Sequence, residues 1–146
     1  MTTKNSIKIT DDFKMVIVLD DSLELGLKTN TAAVLSLTLG AQIEDLIGGD
    51  LMDKTGVWHF GLTTVPLPIL KASPEQLREV FSSTSGLREE LLVVDVTDAA
   101  QTTVDYADYQ AKLEKTDTND LKLLGVALAG PKKLVNKFTG SFGLAR

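Results

Sequence analysis

Residues 121–146, LKLLGVALAGPKKLVNKFTGSFGLAR, decide the predicted fold of this chain. The apolar run 123–129 has no polar alternation, which is typical of a strand buried on both faces. Gly130-Pro131 then predicts a corner, and residues 131–138 have apolar side chains at helical spacing. The stretch therefore predicts a buried strand, a turn and a short amphipathic helix that together close an α/β fold.

Strands and helices alternate through the rest of the sequence. Pro66 and Pro68 cannot donate to a ladder, so the strand they begin is expected to lie at an edge of the sheet or to pair only at its end. Ser73-Pro74-Glu75-Gln76 is a strong helix start, with a capping serine and a returning glutamine. Strands are predicted for 14–20, 66–72 and 91–96, helices for 26–40, 73–81 and 104–115, a further helical turn for 42–47 and a hairpin within 51–64.

This order predicts a single three-layer α/β domain over residues 7–146, with residues 1–6 as a flexible tail. A mixed sheet of about four main strands would be covered by helices, because alternating strands and helices bury a sheet on both faces. The inserted hairpin would lie outside the main sheet. The length of 146 residues is near the usual size of one domain.

The composition restricts the classes of function. The absence of cysteine excludes disulfides, thiolate zinc sites and cysteine nucleophiles, and it suits a cytoplasmic protein. No apolar run approaches the roughly 20 residues that a membrane span needs, so no membrane partner is expected. The net charge of −5 repels phosphate backbones on average, which argues against tRNA as a partner. The lysines near the C-terminus are interpreted as a solvated helix face.

Two patches resemble the type 2 peptidyl-tRNA hydrolases. After the strand LLVVDV, Asp98 and Thr102 match an Asp-Ala-Gly-x-Thr-like segment of that family. The corner and last helix match its Gly-Pro-x-x-Leu-x-x-Lys-x-Thr-Gly pattern at Gly130, Pro131, Leu134, Lys137, Thr139 and Gly140. The resemblance implies the hydrolase fold, and the segment 13–26 (FKMVIVLDDSLELG) resembles the family's opening strand and turn.

The first helix departs from the hydrolase pattern. An ungapped match puts Leu27 and Thr29 where the family has lysines, and Ala33 and Ser36 where it has glutamine and histidine. Lys28 replaces the missing lysine only if the register shifts by one residue. The full chain is more similar to the family known as domain of unknown function 2000, through residues 26–34, 40–41, 59–64 and the Pro-x-Pro strand at 66–68. That resemblance implies a hydrolase-like fold and no particular activity.

Four residues are candidates for catalysis. His59 is the only histidine and would serve as a general base if the hairpin carries it to a pocket. The alternative is a partly exposed strand histidine. Asp98 follows a strand end, where sites gather in sheets covered by helices, and Thr102 lies four residues on. The alternative is that Asp98 is a turn or cap residue and that Thr102 only satisfies local backbone groups. Lys28 would add positive charge at the start of the first helix.

Asn30, Thr31 and Thr63 are the candidate ligand-binding residues. Asn30 would help to bind an anion at the helix start, or it would cap the helix. The predicted pocket lies between the first helix and the loop after LLVVDV. No metal site and no cofactor are expected, because one histidine and no cysteine leave few ligands.

The leading hypothesis is a small cytoplasmic protein that binds a small-molecule ligand at its strand ends. One alternative is a divergent peptidyl-tRNA or acyl-ester hydrolase, in which Asp98 would hold Lys28. The other alternative is a non-catalytic, homodimeric interaction module. The partner expected for this chain is a second copy of itself, in a homodimer.

Overall fold

Two long apolar strands form the centre of the sheet, β2 (Phe13–Asp20) and β8 (Leu123–Pro131). The structure, a computed structural model, describes residues 6–146. β2 and β8 pair antiparallel from Phe13↔Pro131 to Leu19↔Gly125. Both strands are buried for most of their length, as the unbroken apolar runs predicted.

Shorter strands flank this pair on each side. β6 (Ile69–Ala72) runs parallel to β2, and β7 (Leu92–Thr97) runs antiparallel to β8, which gives the order β6-β2-β8-β7. The predicted mixed four-stranded sheet is therefore confirmed. β2, β6 and β7 point the same way, so their carboxyl ends meet at one edge. β6 is the outer strand, as the prolines before it indicated, and residues 143–145 cover its free side through backbone bonds from Lys71 and Ala145.

Helices cover both faces of the sheet. The long helix α1 (Leu25–Gln42) packs on one face through Thr31, Leu35 and Leu39. On the other face lie α2 (Pro74–Thr84) and α5 (Lys132–Thr139), which enclose a second apolar cluster that includes Leu77, Val126 and Val135. The predicted layers of helix, sheet and helices are confirmed. Among residues 6–146, no helix is long and apolar enough to cross a membrane.

The corner after β8 requires glycine at position 130. The Gly130 φ angle is +155°, a conformation that side chains with a Cβ rarely adopt. A Cβ there would also lie 2.9 Å from the Leu91 Cδ2 and 3.0 Å from the Glu90 carbonyl oxygen. The Gly-Pro corner thus lets the chain turn closely past the start of β7 and enter α5.

Capping explains one helix start and not another. The predicted capping box of α2 is present: Ser73 accepts from the Gln76 backbone N–H, and the Gln76 side chain accepts from the Ser73 N–H. In contrast, the prediction that Asn30 caps α1 is wrong. The helix begins five residues earlier at Leu25, after Glu24, which makes no side-chain cap bond.

The remaining elements are short. β1 (Ile7–Lys8) pairs in parallel with β3 (Ile43–Glu44), so the predicted helical turn over 42–47 is wrong; Asp45 takes a positive φ of 56° and turns the chain instead. β4 (Leu51–Met52) and β5 (Trp58–His59) form the predicted hairpin. Of the predicted tail, residues 1–5 lie outside the described residues. After β7 come the helices α3 (Asp98–Gln101) and α4 (Tyr106–Glu114), and 3-10 turns occupy Ser85–Leu87 and Thr118–Asp120.

Candidate functional site

Lys28 lies near the start of α1, beside the carboxyl end of β2. Its Nζ is 3.2 Å from a carboxylate oxygen of Asp21, which was not foreseen as its partner. The alternative in which Asp98 holds Lys28 therefore gains no support from the geometry. Lys28 also lines a cavity of about 420 Å³, here called the Lys28 cavity, whose other walls are Leu19, Leu25, Thr29, Ala32, Ile69, Ala145 and Arg146.

Asp98 begins the short helix α3, and Thr102 directly follows its last residue. The Asp98 N–H donates to the Lys122 carbonyl, and the Lys122 N–H donates to the Asp98 carboxylate at 3.1 Å. The Thr102 hydroxyl donates to the Asp98 carbonyl and accepts from the Lys112 ammonium. These contacts join the end of β7 to the start of β8. They give Asp98 a structural role, and its catalytic role stays a prediction.

His59 lies on the exposed hairpin. Its Nε2 is 2.7 Å from the Asp53 carboxylate. The hydrogen bond from His59, with further bonds from Thr55 and Val57, lowers the pKa of Asp53 to about 2. The hairpin base joins the protein beyond the C-terminal end of α1. Along the helix axis, Lys28 is roughly 20 Å from that end, at 1.5 Å per residue.

The candidate ligand-binding residues also lie apart. Asn30 is exposed on α1, and Thr63 is exposed with its hydroxyl donating to the Val65 carbonyl at 2.8 Å. Thr31 is fully buried, and its hydroxyl has no hydrogen-bond partner among the described residues. Of the seven candidates, Lys28 lines the Lys28 cavity and the other six do not. Their roles stay predictions.

A second cavity lies between α1 and the segment after β7. Its volume is about 420 Å³, and we call it the α1–α4 cavity. The two cavities lie on either side of the buried face of α1, because Val34 and Thr38 are about a third of a turn from Lys28 and Ala32. The α1–α4 cavity is lined by Val34, Thr38, Asp95, Val96, Ala100, Thr103, Val104, Asp105, Tyr106 and Tyr109. None of the seven candidates is among them.

Asp95 and two tyrosines give this cavity its chemical character. The Tyr106 and Tyr109 rings meet edge to face, with centroids 5.9 Å apart and planes at 62°. Burial raises the pKa of the Asp95 carboxyl, and the Arg88 guanidinium opposes that rise. Burial also raises the pKa of Tyr109, and the Asp95 carboxylate adds to the rise. A partly desolvated acid beside aromatic rings is typical of binding sites.

One feature of the sequence distinguishes Asp95 as a candidate site residue. It is the single charged residue within the apolar run LLVVDV, where a strand buried on both faces should have none. Tyr106 and Tyr109 lie on α4, and Tyr106 is 80% exposed. Within residues 6–146, no three His, Cys, Asp or Glu side chains are grouped to hold a metal ion.

Comparisons with known proteins support the architecture. A solved structure of the protein of unknown function Atu0240 from Agrobacterium tumefaciens strain C58 is similar to this chain. The TM-score is 0.83, with 23% sequence identity over 94% of this chain and 100% of that one. At this identity the likeness shows a shared fold. No curated protein matches the chain. The model of the family described as "Protein of unknown function (DUF2000)" matches residues 13–146, and the chain therefore belongs to that family, which confirms the resemblance seen in its sequence.

Proposed function

We propose that this chain is a small-ligand-binding protein whose site is the α1–α4 cavity. The volume of about 420 Å³ is within the range of small-molecule sites. The cavity also lies beside the carboxyl end of β7, the position where ligands bind in sheets covered by helices. Its walls combine apolar side chains with a few polar groups, which favours both affinity and orientation of a ligand.

The observation that carries the proposal is the half-buried carboxylate of Asp95 in the cavity wall. Burying a charge costs free energy unless a partner compensates it. The described residues form no ion pair with Asp95, and it is placed among apolar neighbours such as Val34 and Val96. A charge kept in such a position without a structural partner supports a role in binding.

Filling the cavity tests the proposal. In an amide NMR screen with a mixed library of small amines, alcohols, amides and carboxylates, we expect binding fragments to shift the signals of Val34, Val96 and Tyr109. Thr38→Trp should abolish these shifts, because the indole would occupy the cavity. Ala33→Trp is the matched control, since Ala33 is exposed on the same helix and does not line the cavity. Fragments that shift none of these signals, or that still bind in Thr38→Trp, would contradict the proposal.

We further propose that the fold is related to that of type 2 peptidyl-tRNA hydrolases and that the protein is cytoplasmic. The β8–corner–α5 unit, with glycine needed at position 130, supports the relationship. The absence of cysteine supports the location. The hydrolase activity itself requires Lys28 to act beside Asp98, and the ion pair with Asp21 does not favour that arrangement.

A homodimer is a second proposal, and one observation favours it. The hairpin region exposes several large apolar side chains, namely Leu51, Met52, Val57, Trp58, Phe60 and Leu62. The most exposed of them is Phe60, at 88%. Exposed apolar side chains grouped in one region mark protein interfaces. A second copy would cover the same patch on its partner.

Sedimentation of two charge variants tests the dimer. We expect the unchanged protein to sediment as a dimer at micromolar concentration, and Trp58→Glu/Phe60→Glu to sediment as a monomer. Leu25→Glu is the control, because Leu25 is 77% exposed and lies at the other end of α1. A monomeric unchanged protein would reject the proposal.

A further inference from the structure

We infer that the ligand of the α1–α4 cavity is a small organic cation, an amine with a compact apolar body; this inference rests on the proposed function. Three features of the cavity favour a positive charge over a neutral or negative one. They are the Asp95 carboxylate, the pair of tyrosine rings, and the hydrogen bonds that the other charged side chains nearby already make within the protein.

The Asp95 carboxylate is the first feature. It is half-buried in β7, and the cation whose charge acts on it, Arg88, is exposed and outside ion-pair distance. A ligand ammonium would supply the missing partner inside the cavity. An anionic ligand would be repelled there, and a neutral ligand would leave the buried charge uncompensated.

The aromatic pair is the second feature. Tyr106 and Tyr109 line the cavity and meet edge to face, and Tyr106 is largely exposed to solvent. Ring faces attract ammonium groups within about 6 Å of their centroids, more strongly where water is excluded. Val34 and Val104 add exposed apolar surface around the mouth, which suits the hydrocarbon part of the same ligand.

The third feature is that the other charged side chains nearby are already engaged. Asp105 accepts from the Asp108 N–H, and Asp108 accepts from the Val104 N–H, so both carboxylates cap α4. The Lys112 ammonium donates to the Thr102 hydroxyl, which does not line the cavity. The lining of the cavity has two carboxylates, Asp95 and Asp105. Because Asp105 caps α4, Asp95 is the one that is available to bind a ligand.

The volume limits the size of this cation. A cavity of about 420 Å³ is at the smaller end of small-molecule sites, which span roughly 300 to 1,000 Å³. One aromatic ring with a short aminoalkyl chain fits this space. The charged nitrogen would lie against Asp95 and the ring between Val34 and Tyr109.

Three probes of the same shape separate charge from size: 2-phenylethylamine, its neutral counterpart 2-phenylethanol, and the anion 3-phenylpropanoate. Each is titrated into the protein and followed by amide NMR. We expect the amine to bind at least about tenfold more tightly than the alcohol, because one charged contact of about 1.4 kcal/mol is a factor of ten. The anion should not bind. Shifts are expected at Val34, Val96 and Tyr109.

Two variants assign the preference to Asp95. Asp95→Asn should remove the difference between amine and alcohol, whereas Asp11→Asn, which makes the same charge change at an exposed site, should preserve it. Equal affinity for amine and alcohol at the cavity would overturn the charge inference and leave the proposed function standing. Failure of the amine to bind would also overturn it, and the fragment screen would then decide the proposed function separately. An amine preference that survives in Asp95→Asn would be equally fatal to the inference.

Discussion

Thr31 on α1 lies directly over Gly125 on β8, so closely that a Cβ added at Gly125 would be 2.8 Å from the Thr31 Cγ2. The same Cβ would be 3.0 Å from the Leu35 side chain and 3.1 Å from that of Leu19. The missing side chain lets α1 approach the centre of the sheet. This contact fixes the position of the helix between the Lys28 cavity on one flank and the α1–α4 cavity on the other.

Gly125→Ala should therefore destabilise the protein. The added methyl group would force α1 away from β8, and overpacking of this kind costs about 2 kcal/mol. Urea unfolding followed by circular dichroism gives the free energy of unfolding. Gly86→Ala is the control, because nothing lies within 4 Å of a Cβ at that glycine.

A double variant tests whether Thr31 is the cause. Thr31→Ala alone should destabilise, since it leaves a small void under α1. Combined with Gly125→Ala, it should cost less than the two single changes added together, because the new methyl group would occupy the space that Thr31 vacates. Strict additivity would mean that the two residues do not contact each other as described.

The buried hydroxyl of Thr31 leads to a separate prediction. It has no hydrogen-bond partner among the described residues, and an unsatisfied buried polar group costs about 1 to 3 kcal/mol. Thr31→Val keeps the shape and removes the hydroxyl, so the free energy of unfolding should rise by about 1 kcal/mol. Thr29→Val is the exposed control on the same helix and should change stability little. A loss of stability in Thr31→Val would show that its hydroxyl has a partner, such as a bound water or ligand.

Local signals explain which parts of the fold the sequence could predict. The strands β2, β7 and β8 are apolar runs, and α2 begins with a capping box, so each is specified by neighbouring residues. The start of α1 is not specified by the residues next to it. Asn30 has the side chain of a cap, but Leu27 before it packs against the same apolar cluster as Leu35 and Leu39, and the helix begins at Leu25. Tertiary packing here outweighs an intrinsic preference.

The candidate site was harder to predict because it depends on distances between elements. The alternation of elements places the first helix and the segment after β7 near the strand ends, and a cavity lies between these two parts in the structure. The residues in its walls do not follow from that order. Lys28 and Asp98 both lie near strand ends, yet α1 turns Lys28 towards Asp21. Tyr109 on α4 and Asp95 on β7 line the same cavity, although they lie far apart in the sequence.

Asp95→Asn should stabilise the protein at neutral pH while weakening amine binding. Because burial raises the pKa of Asp95 above its usual value of 3.8, folding disfavours the charged form. The unchanged protein therefore gains stability as the pH falls through the raised pKa. We expect the variant to be more stable at pH 7, and its advantage to disappear towards pH 3.8 and below. Urea unfolding at several pH values measures this. A less stable variant at pH 7 would mean that Asp95 has a structural partner.

The hairpin should loosen in a defined acidic range. The bond from His59 and those from Thr55 and Val57 lower the pKa of Asp53 from 3.8 to about 2. A lowered pKa in the folded state gives stability that is present above pH 3.8 and is lost as the pH falls from there to about 2. Trp58, the only tryptophan, lies on the same hairpin beside His59 and reports on this change through its fluorescence.

Asp53→Asn is the decisive variant for this transition. An amide cannot ionise, so the Trp58 signal should no longer change between pH 3.8 and 2, and the hairpin should be looser at neutral pH. Asp11→Asn, at an exposed position outside the hairpin, should keep the transition. Since acid also protonates other carboxylates, global unfolding is followed in parallel by circular dichroism. A fluorescence change that persists in Asp53→Asn would show that the hairpin is not held by the bond between Asp53 and His59.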